Sequence, residues 1–134
     1  SNTRLVRQRL LVGPAAAARF LPLHTDTETP EEGVALLAPA IAEVLPLTTC
    51  LLGMGEDMHT ASLFPGADTL QEALTGDAIL VPVRAPAVPE ARVTLSAPVL
   101  AGALARHLVI IGPEKREALD RARALPPEAA PVDA

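Results

Sequence analysis

Thr49-Cys50-Leu51-Leu52-Gly53-Met54-Gly55 is a short apolar run that ends on two glycines. Pro46 stands just before it, and a run of this length and character reads as a parallel strand buried on both faces. Upstream, Thr29, Pro30 and Glu32 spell a helix start: a T-x-x-E capping box with proline at the first helical position. That helix continues through Val34, Leu37, Ile41 and Val44 to Leu45. Residues 1–11 read as an earlier helix, capped by Ser1 or Asn2, with Leu5, Val6 and Leu10 on one face and Gly13-Pro14 as its break. Residues 20–23 are a short extended segment and 24–29 a polar loop. Downstream, residues 69–74 read as a helix. Residues 79–83 read as a strand placed at an edge by Pro82, and 92–95 as a further strand. Ser96-x-Pro98 starts a helix holding Val99, Leu100 and Leu104. Residues 108–111 form another buried strand, and 114–124 the last helix, beyond which Pro126, Pro127 and Pro131 oppose regular structure. Strands alternating with helices imply an α/β fold: an open, mostly parallel sheet with helices on both faces. Ligands bind such sheets beyond the carboxyl ends of strands, here Gly53, Ser96 and Gly112.

The chain has 134 residues, 49% of them hydrophobic, which suits one domain and excludes general disorder. Every apolar run is interrupted before the ~18 residues that a membrane span needs. The formal charge of −5, from 11 basic and 16 acidic residues without a block of one sign, argues against nucleic acid or an anionic membrane as partner. A small anionic ligand stays open, because a few local cations suffice for it. Cys50 is the only cysteine, so an internal disulfide and a cysteine-rich metal site are excluded, and its apolar neighbours read it as a buried small hydrophobe. The three arginines in residues 1–11 do not suit a signal peptide, so the cytoplasm is the expected location. Two Phe with no Trp or Tyr is a low aromatic content, either a compositional habit or a sign that part of the polypeptide is missing.

Chemistry concentrates after the strand, in Gly53-Met54-Gly55-Glu56-Asp57-Met58-His59-Thr60-Ala61-Ser62-Leu63-Phe64-Pro65-Gly66. Glycines allow unusual dihedrals and close approach of backbone to a ligand, and successive amides can receive an oxyanion. His59 is of the type that takes a proton from water, and Asp57 is near enough to orient it. Taken singly, each piece has a plainer reading. Gly-x-Gly is common in strand-to-helix loops, and a lone histidine is often a surface or core residue. Asp-x-His as a metal corner needs a further ligand from His24, His107 or a carboxylate, none in a supporting pattern, so no metal is expected.

The whole segment closely resembles the signature of the 6-phosphogluconolactonases, L-L-G-M-G-x-D-G-H-T-A-S-L-F-P, without a gap from Leu51 to Pro65. Met58 stands where that pattern has Gly. Other parts agree in order. Ser1-Asn2 with Leu5-Val6-Arg7 is similar to the family's S-N-x-x-L-V-R helix, and Phe20-Leu21-Pro22-Leu23 to its following segment. Ala91-Arg92-Val93-Thr94-Leu95-Ser96 is similar to its R-V-T-L-T strand, and Gly112-Pro113-Glu114-Lys115 to its G-x-x-K turn. The resemblance implies the Rossmann-like sugar-phosphate isomerase/lactonase fold. It also implies hydrolysis of 6-phospho-D-glucono-1,5-lactone to 6-phosphogluconate in the oxidative pentose phosphate pathway, with no cofactor. His59 falls on the family's general base, with Asp57 beside it. Gly53, Met54 and Gly55 fall on the loop next to the sugar, and Arg92 and Lys115 on basic positions near the phosphate. Arg92 reads equally as a solvated strand-end charge. Lys115, in a first helical turn where a cation opposes the dipole, reads better as a phosphate ligand.

Two departures accompany the resemblance. A Met at position 58 costs ~1–2 kcal/mol if that site needs positive φ. The family's G-G-S/T phosphate loop and D-E-R motif, which precede its S-N helix, have no counterpart, nor does its carboxyl-terminal strand. Residues 1–134 are therefore expected to be a partial lactonase domain, with the activity of the isolated chain open and a non-catalytic sugar-phosphate-binding fragment as the alternative. A glucosamine-6-phosphate deaminase is disfavoured, because that family places a carboxylate where Thr60-Ala61-Ser62-Leu63-Phe64-Pro65 supplies none. The oligomeric state is not legible.

Overall fold

The computed structural model describes residues 2–134, so Ser1, one of the two expected caps of the first helix, lies outside the described residues. Helix α1 covers Asn2–Arg9 and buries none of its residues; Leu5 and Leu10 are exposed, so the apolar stripe read from the sequence is uncovered. The Gly13-Pro14 break opens a 3₁₀ turn, Gly13–Ala17. Helix α2, Pro30–Ala42, begins as its sequence predicts: Thr29 Oγ1 accepts a hydrogen bond from the Glu32 amide at 3.3 Å. It stops at Ala42 rather than Leu45. The threonines of the preceding loop pack on its Gly33, where a Cβ would come within 2.7 Å of Thr25 Oγ1. Thr25 and Thr27 share a 2.7 Å hydroxyl hydrogen bond, and Thr27 also donates to the Thr29 carbonyl at 2.9 Å.

Strand β1, Thr49–Gly53, pairs in parallel with β4, Ala105–Val109, with Leu51 opposite His107 and Gly53 opposite Val109. The α/β class and its parallel pair agree with the sequence. Burial on both faces does not. One face carries Cys50, which is buried, and Leu52 and Leu108, which are half-buried. The other leaves Leu51 72% and Val109 53% exposed, with Ile111 just beyond at 86%. A continuous apolar run carries no information about faces, and here only one is covered.

The other two strands also differ from expectation. β2, Leu80–Ala85, and β3, Val88–Leu95, form an antiparallel hairpin with a register shift between Val83 and Ala85. Among the described residues, then, the parallel pair β1–β4 is accompanied by one antiparallel pair, β2–β3. Pro82 does lie on an edge strand, since β2 pairs with β3 alone among the described residues. Helix α2 packs against both hairpin strands, and α3, Leu70–Thr75, packs between β2 and α4, Ala97–Ala101. Helix α4 is shorter than predicted, leaving Leu104 outside it and 76% exposed. Helix α5, Pro113–Ala122, lies against a 3₁₀ turn at Pro131–Asp133, which Pro131 starts rather than prevents, while Pro126 and Pro127 lie in irregular chain as expected.

The largest core cluster joins Cys50, Leu63, Leu70, Ala73, Leu74, Val81, Ala97, Leu100 and Ala103. Burial raises the Cys50 thiol pKa, opposed by the nearby Arg106 charge, which fits the reading of an inert packing residue. Arg84 ties the hairpin to α2. Its guanidinium donates to Glu31 at 2.7 and 3.1 Å, while its amide donates to Asp68 Oδ1 at 2.8 Å. The Arg84 side-chain hydrogen bond lowers the pKa of Glu31, and the Arg84 amide chiefly lowers that of Asp68. Groups with folded pKa below the unfolded one stabilise above the usual carboxylate range and lose that contribution as pH falls through the folded values. Arg84→Met, which keeps the amide and loses the Glu31 contact, should therefore melt below the parent at pH 7, with the gap narrowing as acid protonates Glu31. Thermal melts from pH 7 into acid check this; a gap independent of pH contradicts it.

Candidate active site

The carboxyl end of β1 runs into a tight loop rather than directly into a helix. Met54 bridges to Thr60, the Gly55 amide donates to the His59 carbonyl at 3.0 Å, and the Met58 amide donates to the Gly55 carbonyl at 3.1 Å. Thr60 Oγ1 closes the base of the loop by donating to the Gly53 carbonyl at 3.0 Å. The glycines serve differently from the sequence expectation. Neither Gly53 nor Gly55 has positive φ. Gly55 is required by proximity: a Cβ there would collide with Asp57 Oδ1 and the His59 ring. Around Gly53 a Cβ would meet nothing within 4 Å, so the site is open at that point. With its amide committed to His59, Gly55 does not join an oxyanion nest.

Positive φ falls instead on Met58, at 67°, and on Ala61, at 50°. The cost expected for Met58, ~1–2 kcal/mol, is offset by packing. Its side chain is buried in a cluster with Met54, Ala118, Ala122 and Ala130, and its carbonyl accepts from the Val132 amide at 3.1 Å. The loop is thus pinned to α5 and the final 3₁₀ turn. Met54 borders the candidate cavity, yet is only 4% exposed and belongs to the same cluster.

Asp57 Oδ1 lies 2.6 Å from His59 Nδ1 and also accepts the His59 amide at 3.3 Å. A carboxylate oxygen accepts, so this contact suits the tautomer in which Nδ1 donates to Asp57. Such a carboxylate contact orients an imidazole ring. His59, Gly53, Met54, Gly55 and Lys115 line one cavity of about 610 Å³, in which Lys115 is the one Lys or Arg among the lining residues. Sequence positions more than fifty apart thus meet because β1 and β4 are neighbours and α5 follows β4.

Arg92 lies elsewhere. It lines an adjoining cavity of about 540 Å³ with His24, Thr25 and Glu28; the two cavities share Leu23, Ser62 and Val93. Its guanidinium carbon is 5.7 Å from the centre of the Phe64 ring, and that ring is 4.3 Å from the His59 ring. Phe64 and Thr94 are the residues that the sequence reading left without a part. Thr94 Oγ1 accepts the Ser62 amide at 3.2 Å and so fastens the loop to β3. Both stand inside recognisable motifs, but nothing in their spacing shows the contact. Among the described residues no group of three or more His, Cys, Asp or Glu could hold a metal ion.

Comparison with known proteins gives a consistent result. The family model described as glucosamine-6-phosphate isomerases/6-phosphogluconolactonase matches residues 1–134. The 6-phosphogluconolactonase of Pseudomonas aeruginosa is 42% identical over 96% of this chain and 55% of its own length. That of Rhizobium meliloti is also 42% identical, over 96% of this chain and 57% of its own. The chain therefore spans about half the length of the curated relatives that it matches. The crystal structure of a 6-phosphogluconolactonase from Shewanella baltica superposes with a TM-score of 0.94 at 32% identity, covering 99% of this chain and 58% of that one.

Proposed function

Because the chain belongs to the glucosamine-6-phosphate isomerase/6-phosphogluconolactonase family, we propose that its loop carries out hydrolysis of 6-phospho-D-glucono-1,5-lactone. The observation that carries this reading is the 2.6 Å contact between Asp57 and His59 Nδ1, on a loop that shares its cavity with Lys115. His59 Nε2 takes a proton from water as the water oxygen bonds to the lactone carbonyl carbon. The tetrahedral adduct collapses, the bond from that carbon to the ring oxygen breaks, and the ring oxygen receives the proton back from the imidazolium. The carboxylic acid formed then ionises to 6-phosphogluconate.

A lactone is an activated ester, so a positioned base worth ~10²–10⁴-fold is adequate for useful turnover. Asp57 holds the tautomer and balances the imidazolium. Lys115 takes the phosphate, and Gly53 leaves room beside the sugar. Arg92, in the adjoining cavity that shares Leu23, Ser62 and Val93, is the second cation proposed for that phosphate. No cofactor enters these steps. No helix among the described residues is long and apolar enough to cross a membrane. A cytoplasmic location is part of the same proposal.

The test compares the phosphorylated lactone with unphosphorylated glucono-1,5-lactone, each corrected for spontaneous hydrolysis. Saturable acceleration with kcat/KM at least tenfold higher for the phosphorylated form is expected. No acceleration by folded protein, or equal kcat/KM for the two lactones, contradicts the reading.

A further inference from the structure

We propose that Phe64 is a positioning residue of this site, fixing the plane of the His59 imidazole so that Nε2 is aimed into the cavity. The inference rests on the reading of His59 as base and adds a part that neither the motif nor the charge pattern supplies. Asp57 holds His59 through one ring atom, Nδ1, at 2.6 Å. One solvent-exposed hydrogen bond is a soft restraint, because rotation about the His59 side-chain bonds gives up only that contact. The two residues are also open to water, with 29% of the His59 side chain and 44% of the Asp57 side chain exposed.

The second constraint comes from Phe64. Its ring centre is 4.3 Å from that of His59, with the planes inclined by 35°. That distance is slightly shorter than usual for aromatic pairing, so rotation of the imidazole about its side-chain bonds either meets the phenyl ring or breaks the contact. Phe64 can resist, because it is 3% exposed and shares a cluster with Val83 and Ala85 of the hairpin. The hairpin in turn is clamped to α2 through Arg84 and Glu31. A buried wall thus stands against a base that is partly open to water. Arg92 rests on the same ring, its guanidinium carbon 5.7 Å from the centre, within the reach of a cation–π contact. One aromatic side chain therefore touches the candidate base and a candidate phosphate ligand, which lie on different elements.

Displacements of about 1 Å at a reacting group can cost on the order of 10²-fold in rate, and loss of one of two constraints is a smaller error. Phe64→Met keeps an apolar side chain but removes the ring. Roughly a tenfold fall in kcat, with KM within about twofold, is expected, as for a group that aims the base without binding substrate. In the same variant the hydrogen-bonded Nδ1 proton of His59, seen by nuclear magnetic resonance with ring-labelled histidine, should broaden or vanish through faster exchange. Ile41→Ala, which removes a buried side chain of α2 outside the clusters that hold the loop, controls for a merely structural effect and should leave both readouts near the parent. Folded Phe64→Met with unchanged kcat and an unchanged Nδ1 signal overturns the proposal, as does an equal loss in Ile41→Ala. Should Phe64→Met fail to fold, the order parameter of the His59 ring in the parent protein decides. A value near the ~0.85 of rigid backbone supports the proposal, and one below about 0.6 overturns it. His59→Gln separates the two levels: full activity in that variant removes the base reading while leaving the ring-order result intact.

Discussion

Replacing Leu63 with Ala lowers the free energy of unfolding by about 2–5 kcal/mol, the range for deleting a buried leucine and leaving a cavity. Leu63 is 1% exposed and belongs to the cluster with Cys50, Leu70, Val81 and Leu100, where strand, hairpin and the two short helices meet. Its amide donates to the Thr60 carbonyl at 2.9 Å, so the same residue anchors the turn that follows His59. The upper part of the range applies if the site cannot collapse. Urea unfolding followed by circular dichroism should show the midpoint fall while the denaturant slope is unchanged. A loss below about 1 kcal/mol would mean that the loop is not fastened through this side chain.

That leucine, like much of the core, stands in a motif that the sequence displays openly. Local signals were the most legible. The Thr29 cap works through a hydrogen bond to an amide three residues on, and the strand before Gly53 is a run whose end is marked by glycine. The hairpin was hidden for two physical reasons. Its connection is Pro86-Ala87, without the glycine or asparagine that marks a tight two-residue turn, and Pro89-Glu90-Ala91-Arg92 lacks an apolar alternation. The exposed face of β1 and β4 was hidden because Leu51, Val109 and Ile111 look the same in sequence whether covered or not. In the loop, residue types were legible and their causes were not. Gly55 answers to crowding by Asp57 and His59, while positive φ falls on Met58 and Ala61. The joining of Phe64 to Arg92 depends on the path of β3 and leaves no trace in spacing.

His59→Gln should reduce kcat for the phosphorylated lactone by ~10²–10⁴-fold, the span that a positioned general base contributes. Glutamine has similar reach and remains able to hydrogen-bond, but it does not accept a proton from water, so KM should change little. Asp57→Asn should fall between this variant and the parent. Its amide can present an NH₂ group to Nδ1, which favours the tautomer with the proton on Nε2 and removes the free lone pair from the side that needs it. Both variants should fold normally, because His59 and Asp57 lie at the rim and outside the buried clusters. A fall in activity accompanied by unfolding would therefore say nothing for the base, whereas a fall in a folded protein isolates it.

The most direct measurement compares initial rates of 6-phosphogluconate formation by the parent protein and by His59→Gln. Both are taken at one protein concentration, with spontaneous hydrolysis subtracted and folding of each sample verified by circular dichroism. The account predicts a catalysed rate in the parent and a loss of at least about 100-fold in the variant. A folded His59→Gln protein within threefold of the parent would contradict it, since water would then be activated by something other than the histidine that Asp57 holds.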